Sequence, residues 1–171
     1  SIEQVYSDFH PGDGKWHKLK VAKRLLKEPA MVTISIFNSS SNKDIIYIDL
    51  ITMFADGKNI SNYILDNSFE NNIKEIGDGR KLVDVSVKEA FTEEIAEALP
   101  KYWNIAGDPF FVKKEDAVAY KNKASLKLYG NTPSPYANLA LPVQPEYAAT
   151  LNGKTLKFTS YIKAERAGIA N

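Results

Sequence analysis

The chain has 171 residues, 44% hydrophobic and 25% charged, which fits one sheet-sized hydrophobic core and excludes a disordered or fibrous protein. Its 22 basic and 21 acidic residues leave a net charge of +1, so the clear basic excess of a nucleic-acid binder is missing. Cysteine is absent, which removes disulfides and thiolate chemistry, and no apolar run reaches the length of a membrane-spanning helix.

The N-terminus, "SIEQVYSDF", lacks the charged-then-apolar order of a signal peptide. The start at Ser1 is read as the removal of an initiator Met or of a longer leader.

Residues 9–21, "FHPGDGKWHKLKV", hold a Pro-Gly-Asp-Gly turn, Trp16, both histidines and three lysines. The glycines predict a turn followed by a strand with Trp16, Lys18 and Lys20 on one face and His17, Leu19 and Val21 on the other. His10 and His17, with Asp8 and Asp13 nearby, are metal-ligating residue types. They lack an H-E-x-x-H helix and a cysteine partner, and the stretch from His10 to His17 crosses the predicted turn, so no metal site is expected. Gly12 to Lys15 also lacks the spacing of a phosphate-binding loop.

Residues 13–21, "DGKWHKLKV", resemble one strand of the laminin-G-like jelly-roll domains. The likeness covers nine residues. It implies a β-sandwich, although strand-bearing sequence precedes the run in that family and its calcium-binding acidic pattern has no counterpart here.

Lysines continue down the chain. Lys15, Lys18, Lys20, Lys23, Arg24 and Lys27 form a basic run on an otherwise neutral sequence, a solvated face or a contact for an anionic partner.

"MVTISIFN" alternates β-branched residues at Val32, Ile34 and Ile36 and predicts a half-buried strand. Residues 44–55, "DIIYIDLITMFA", are apolar on both parities apart from Asp49 and Thr52, which predicts a central strand covered on both faces. The turn-forming residues between the two runs predict a hairpin. In "NISNYILDNSF", Ile60, Tyr63, Ile64 and Phe69 follow neither period.

Val83, Val85 and Val87 alternate in a further strand. A helix follows, with a capping box at Ser86 and Glu89, an apolar face of Phe91, Ile95 and Leu99, and a stop at Pro100. Its outer face carries Glu93, Glu94 and Glu97.

At least two short strands are expected over residues 102–130, with Leu126 and Leu128 the clearest pair. Residues 130–146 contain Pro133, Pro135, Pro142 and Pro145 and are expected to run extended, outside any central strand. Asn152-Gly153 between two alternating runs predicts a closing hairpin.

The sum is a mainly β (α+β) chain, residues 1–171 forming one sheet-rich domain: an antiparallel sandwich or barrel with one amphipathic helix packed on it. Catalytic and cofactor motifs are missing; there is no G-x-S-x-G elbow and no cysteine nucleophile, so no enzyme and no cofactor are expected.

Two functions remain. One is a structural or assembly subunit of a larger particle, such as a virion or other extracellular assembly, made by self-association or with other structural subunits. Its contacts are expected at Lys15, Trp16, Lys18, Lys20, Lys23 and Arg24, at Glu93, Glu94 and Glu97, and at Tyr136, Leu139 and Leu141. The other is a glycan-binding β-sandwich module stacking sugars on aromatics such as Trp16, Tyr102, Trp103, Tyr136 or Tyr147. Trp103 is expected in the core.

Overall fold

A computed structural model describes residues 3–38, 45–70, 104–107, 111–129 and 137–165. The strand over residues 80–87, the capped helix with Glu93, Glu94 and Glu97, and Tyr102, Trp103 and Tyr136 lie outside the described residues.

The chain forms β1 (Asp13–Arg24), β2 (Thr33–Asn38), β3 (Ile45–Ala55), β4 (Lys58–Asn59), β5 (Asn104–Gly107), β6 (Phe111–Glu115), β7 (Ser125–Tyr129), β8 (Ala137–Pro142), a one-turn helix α1 (Pro145–Ala148) and β9 (Thr155–Glu165). The large sheet has the order β1-β9-β3-β7-β6, with β4 attached to β3; the small sheet has the order β2-β8-β5. All pairs are antiparallel, and neither sheet closes into a barrel.

One apolar cluster joins the sheets. Ile36, Leu139 and Leu141 of the small sheet pack into the same core as Ile46, Ile48, Met53, Leu126, Leu128 and Leu156 of the large one. This sandwich arrangement buries one face of each sheet, as period-two sequences require.

Strand β3 is central, between β9 and β7, but the apolar residues on its two parities have a different cause from the one expected. Leu50 adopts φ 49°, and the pairing with β9 slips by one residue between Asp49 and Thr52. Such a bulge reverses which residues face inward. Ile46 and Ile48 are buried before it and Ile51 and Met53 after it, so both parities feed one core.

The irregular stretch after β4 seals that bulge. The Ile51 N–H donates to the Asn67 carbonyl at 2.8 Å, and Asn67 Nδ2 donates to the Ile51 carbonyl at 2.9 Å. Ile60, Ile64 and Phe69 then close over the core. Their spacing fits neither period because a 3-10 turn at Ser61–Tyr63 and successive bends carry them.

Two expected hairpins are absent. Strands β2 and β3 belong to different sheets, so the serine-rich connection crosses between layers. Asn152-Gly153 follows α1 and a 3-10 turn at Ala149–Leu151; Gly153, at φ 72°, ends this helical stretch and starts β9, which pairs with β1 and β3.

Pro133 and Pro135 lie outside the described residues, and the expectation for the proline-rich stretch is corrected from residue 137 onward. Ala137–Pro142 form β8, the central strand of the small sheet, and Pro142 sits at its last position, where no further ladder donor is required. Pro145 occupies the first turn of α1, where its missing N–H is harmless. The chain stays on its own sandwich there: Val143 N–H donates to the Val32 carbonyl and Gln144 N–H to the Tyr63 carbonyl, both at 2.8 Å.

Candidate functional site

The predicted facial split of β1 is present. Directly opposed residues of antiparallel strands share a face, and the pairing puts Trp16 beside Lys163, Lys18 beside Tyr161, and Lys20 beside Thr159. Across β9, Lys163 meets Tyr47, Tyr161 meets Asp49, and Thr159 meets Thr52, whose hydroxyl is hydrogen-bonded to that of Thr159. The outer face of the large sheet is therefore a grid of lysines and aromatics, while His17, Leu19 and Val21 turn inward.

The rings on this face are in contact. Tyr120 stacks on Tyr161 with centroids 3.6 Å apart and meets Trp16 edge-on at 5.8 Å. Lys18 Nζ lies 5.7 Å from the Tyr161 ring, and Lys127 and Lys163 lie 5.8 and 5.9 Å from the Tyr47 ring, within cation–π range. A hydrogen bond with Tyr161 holds the Tyr120 phenol above its usual range.

Tyr120 comes from the loop between β6 and β7, and acceptors on other segments position that loop. Asp49 Oδ2 accepts the N–H groups of Tyr120 at 2.9 Å and Lys121 at 2.8 Å. Glu70 Oε1 accepts those of Lys123 and Ala124, and Ser125 Oγ donates to the Val118 carbonyl. Asp49 is fully buried, its Oδ1 has no hydrogen-bond partner among the described residues, and burial pushes its carboxyl above the usual carboxylate range. Asp49 stood out in the sequence only as a break in an apolar run; its pairing with a loop some seventy residues away left no local signal.

A second feature lies along β1, whose other edge has no strand partner among the described residues. The segment before it runs back beside it, held by Glu3 to Lys23 at 3.1 Å and by His10 Nε2 to the Lys15 carbonyl at 3.0 Å. No backbone hydrogen bond ties the segment to β1 among the described residues. Tyr6 and Phe9 of this segment are 71% and 88% exposed, and Leu26 and Met31, just beyond the strand, are 75% and 71% exposed.

The remaining expected contacts divide. Lys15, Lys18, Lys20, Lys23 and Arg24 lie on β1, and Trp16 is partly buried against Tyr120. Leu139 and Leu141 are corrected: both are 0% exposed in the core and cannot reach a partner. Tyr147 stacks on Tyr63 at 4.1 Å, away from the lysine face.

The expected separation of the histidines is corrected as well, because the turn at Gly12 to Gly14 brings the preceding segment back beside β1. His10, Asp13 and His17 each place one ligand atom within 4.8 Å of the others; Asp8 is not in the group.

No family model matches this chain, and no curated protein or solved structure matches it.

Proposed function

We propose that the chain is a non-enzymatic structural subunit that assembles with further copies or with other structural subunits through the free edge of β1 and the segment beside it. The carrying observation is a twelve-residue strand with one edge unpaired among the described residues, flanked by a segment whose Tyr6 and Phe9 side chains are more than two-thirds exposed. Unpaired strand edges template pairing with another chain, and clustered exposed apolar groups mark contact surfaces. The lysines of β1 prevent indiscriminate pairing and favour a partner edge that carries acidic groups.

Light scattering coupled to size exclusion over a range of concentrations tests this. Species larger than 19.1 kDa are expected, dissociating in a Tyr6→Ser, Phe9→Ser variant. A wild-type monomer at every concentration overturns the self-assembly form of the proposal.

A second reading, a glycan-binding module, is favoured by the grid of Trp16, Tyr47, Tyr120 and Tyr161 among lysines. Stacked rings offer flat surfaces to sugars, and the lysines select an anionic glycan. A glycan array tests it, with signal on sulfated or uronate-bearing sugars that is lost in Tyr161→Ala. A silent array removes this reading.

A further inference from the structure

We propose that His10, Asp13 and His17 form a binding site for a divalent transition-metal cation of the zinc class. The inference does not depend on either functional reading above.

The site is built by local backbone. Gly12 and Gly14 adopt φ 75° and 73°, conformations open to glycine, on either side of Asp13. The β1–β9 pairing then slips by one residue between Asp13 and Trp16. Bulges of this kind re-aim side chains, and here His10 and His17 end with ring centroids 4.8 Å apart.

Hydrogen bonds fix the state of His10. Its Nε2 lies 3.0 Å from both the Lys15 and the Ile162 carbonyls, so Nε2 carries the proton. Nδ1 is left with its lone pair, which accepts the Gly12 N–H at 2.9 Å. A metal-ligating imidazole has this form: one ring nitrogen donates to a backbone carbonyl, and the other is available to the cation.

Asp13 and His17 supply the other two ligands. His17 Nε2 lies 2.9 Å from Asp13 Oδ2 and 3.0 Å from Oδ1. Bonds of about 2.0 to 2.1 Å at a tetrahedral centre separate ligand atoms by about 3.3 Å, so this pair needs almost no movement. Asp13 Oδ1 also accepts the Lys15 N–H at 3.0 Å, which fixes the carboxylate beside the two rings. The His10 ring closes the remaining gap when Nδ1 exchanges the Gly12 N–H for the metal.

Two imidazoles and one carboxylate suit zinc and its neighbours; magnesium and calcium take oxygen ligands. The fourth position faces solvent and would hold water, since Asp13 and His17 are each about one-third exposed. Binding replaces the hydrogen bond between His17 Nε2 and Asp13, and the neutral His17 ring then carries its one N–H at Nδ1.

The chain has only two histidines, so their ring signals report the site directly. Tag-free protein is titrated with zinc chloride, following metal content after dialysis and the carbon-bound imidazole protons by NMR, with magnesium chloride as the comparison. One zinc per chain is expected, with both imidazoles shifting together and no response to magnesium. Asp13→Asn and His17→Gln should each weaken binding about tenfold or more while thermal melts show that both fold. Absence of zinc binding, a shift of one imidazole alone, a matching response to magnesium, or unchanged affinity in folded variants would overturn the site.

Discussion

Replacing Asp49 separates the two things its carboxylate does. It ties down the loop carrying Tyr120 through two N–H groups, and it keeps a charge in a fully buried position with one oxygen lacking a partner among the described residues. Asp49→Asn retains an acceptor for both amides and removes the charge. Asp49→Ala removes both.

A buried donor left unsatisfied costs about 1 to 3 kcal/mol. Two are orphaned in the alanine variant, but Tyr120 and Lys121 are exposed enough for water to reach their amides partly, so the loss relative to Asp49→Asn is about 2 to 4 kcal/mol. At about 2 to 4 °C per kcal/mol for a chain of this size, Tm falls by about 4 to 16 °C.

The charge follows a separate pH dependence. Burial raises the folded-state pKa of Asp49 above 3.8, so the folded chain holds this proton more tightly than the unfolded one. Its stabilising contribution is therefore fully present below pH 3.8 and is lost as pH rises through the raised value. The asparagine variant should gain on wild type over that interval and be at least as stable at neutral pH. Urea denaturation from pH 4 to 8 measures both effects, and hydrogen exchange at Tyr120 and Lys121 reports the loop. Equal stability and equal loop protection in the asparagine and alanine variants would show that Asp49 does not hold the loop.

Leu139→Ala and Leu141→Ala should each lower stability by about 2 to 5 kcal/mol in denaturant melts without changing the mass of the folded species; lost assembly at unchanged stability would place them at an interface instead. Gly153→Ala should cost about 1 to 2 kcal/mol in the same melts, from backbone strain at φ 72° alone, because no atom lies within 4 Å of the added Cβ. Asp56 accepts the Thr155 N–H at 2.8 Å and pairs with Lys154 at 3.1 Å, which lowers its pKa below 3.8. Its contribution is present above that value and lost as pH falls through the folded one, so Asp56→Asn should flatten the acid limb of a stability–pH curve slightly.

The sequence by itself determined the class of structure. Alternation in "MVTISIFN", at Leu126 and Leu128, and along β1 records which side chains meet the core, and antiparallel pairing obeys that alternation wherever the partner lies. It also isolated Trp16, Lys18 and Lys20 as one face, half of the lysine–aromatic grid.

Partners were decided by tertiary structure. A turn-rich connection permits a hairpin but does not require one, so β2 could leave β3 for β8, and Asn152-Gly153 could terminate helical turns as readily as join strands. Prolines at residues 142 and 145 bound β8 without breaking it, because a central strand loses nothing when the missing N–H falls at its end. The bulge at Leu50 turned a pattern that predicts burial on both faces into burial on one. His10 and His17 came together, and Tyr120 came to stack on Tyr161, for the same reason. Local pattern specifies which face a residue presents, whereas a site needs particular atoms from distant segments within a few ångströms, and that distance is set only when the sheets pack.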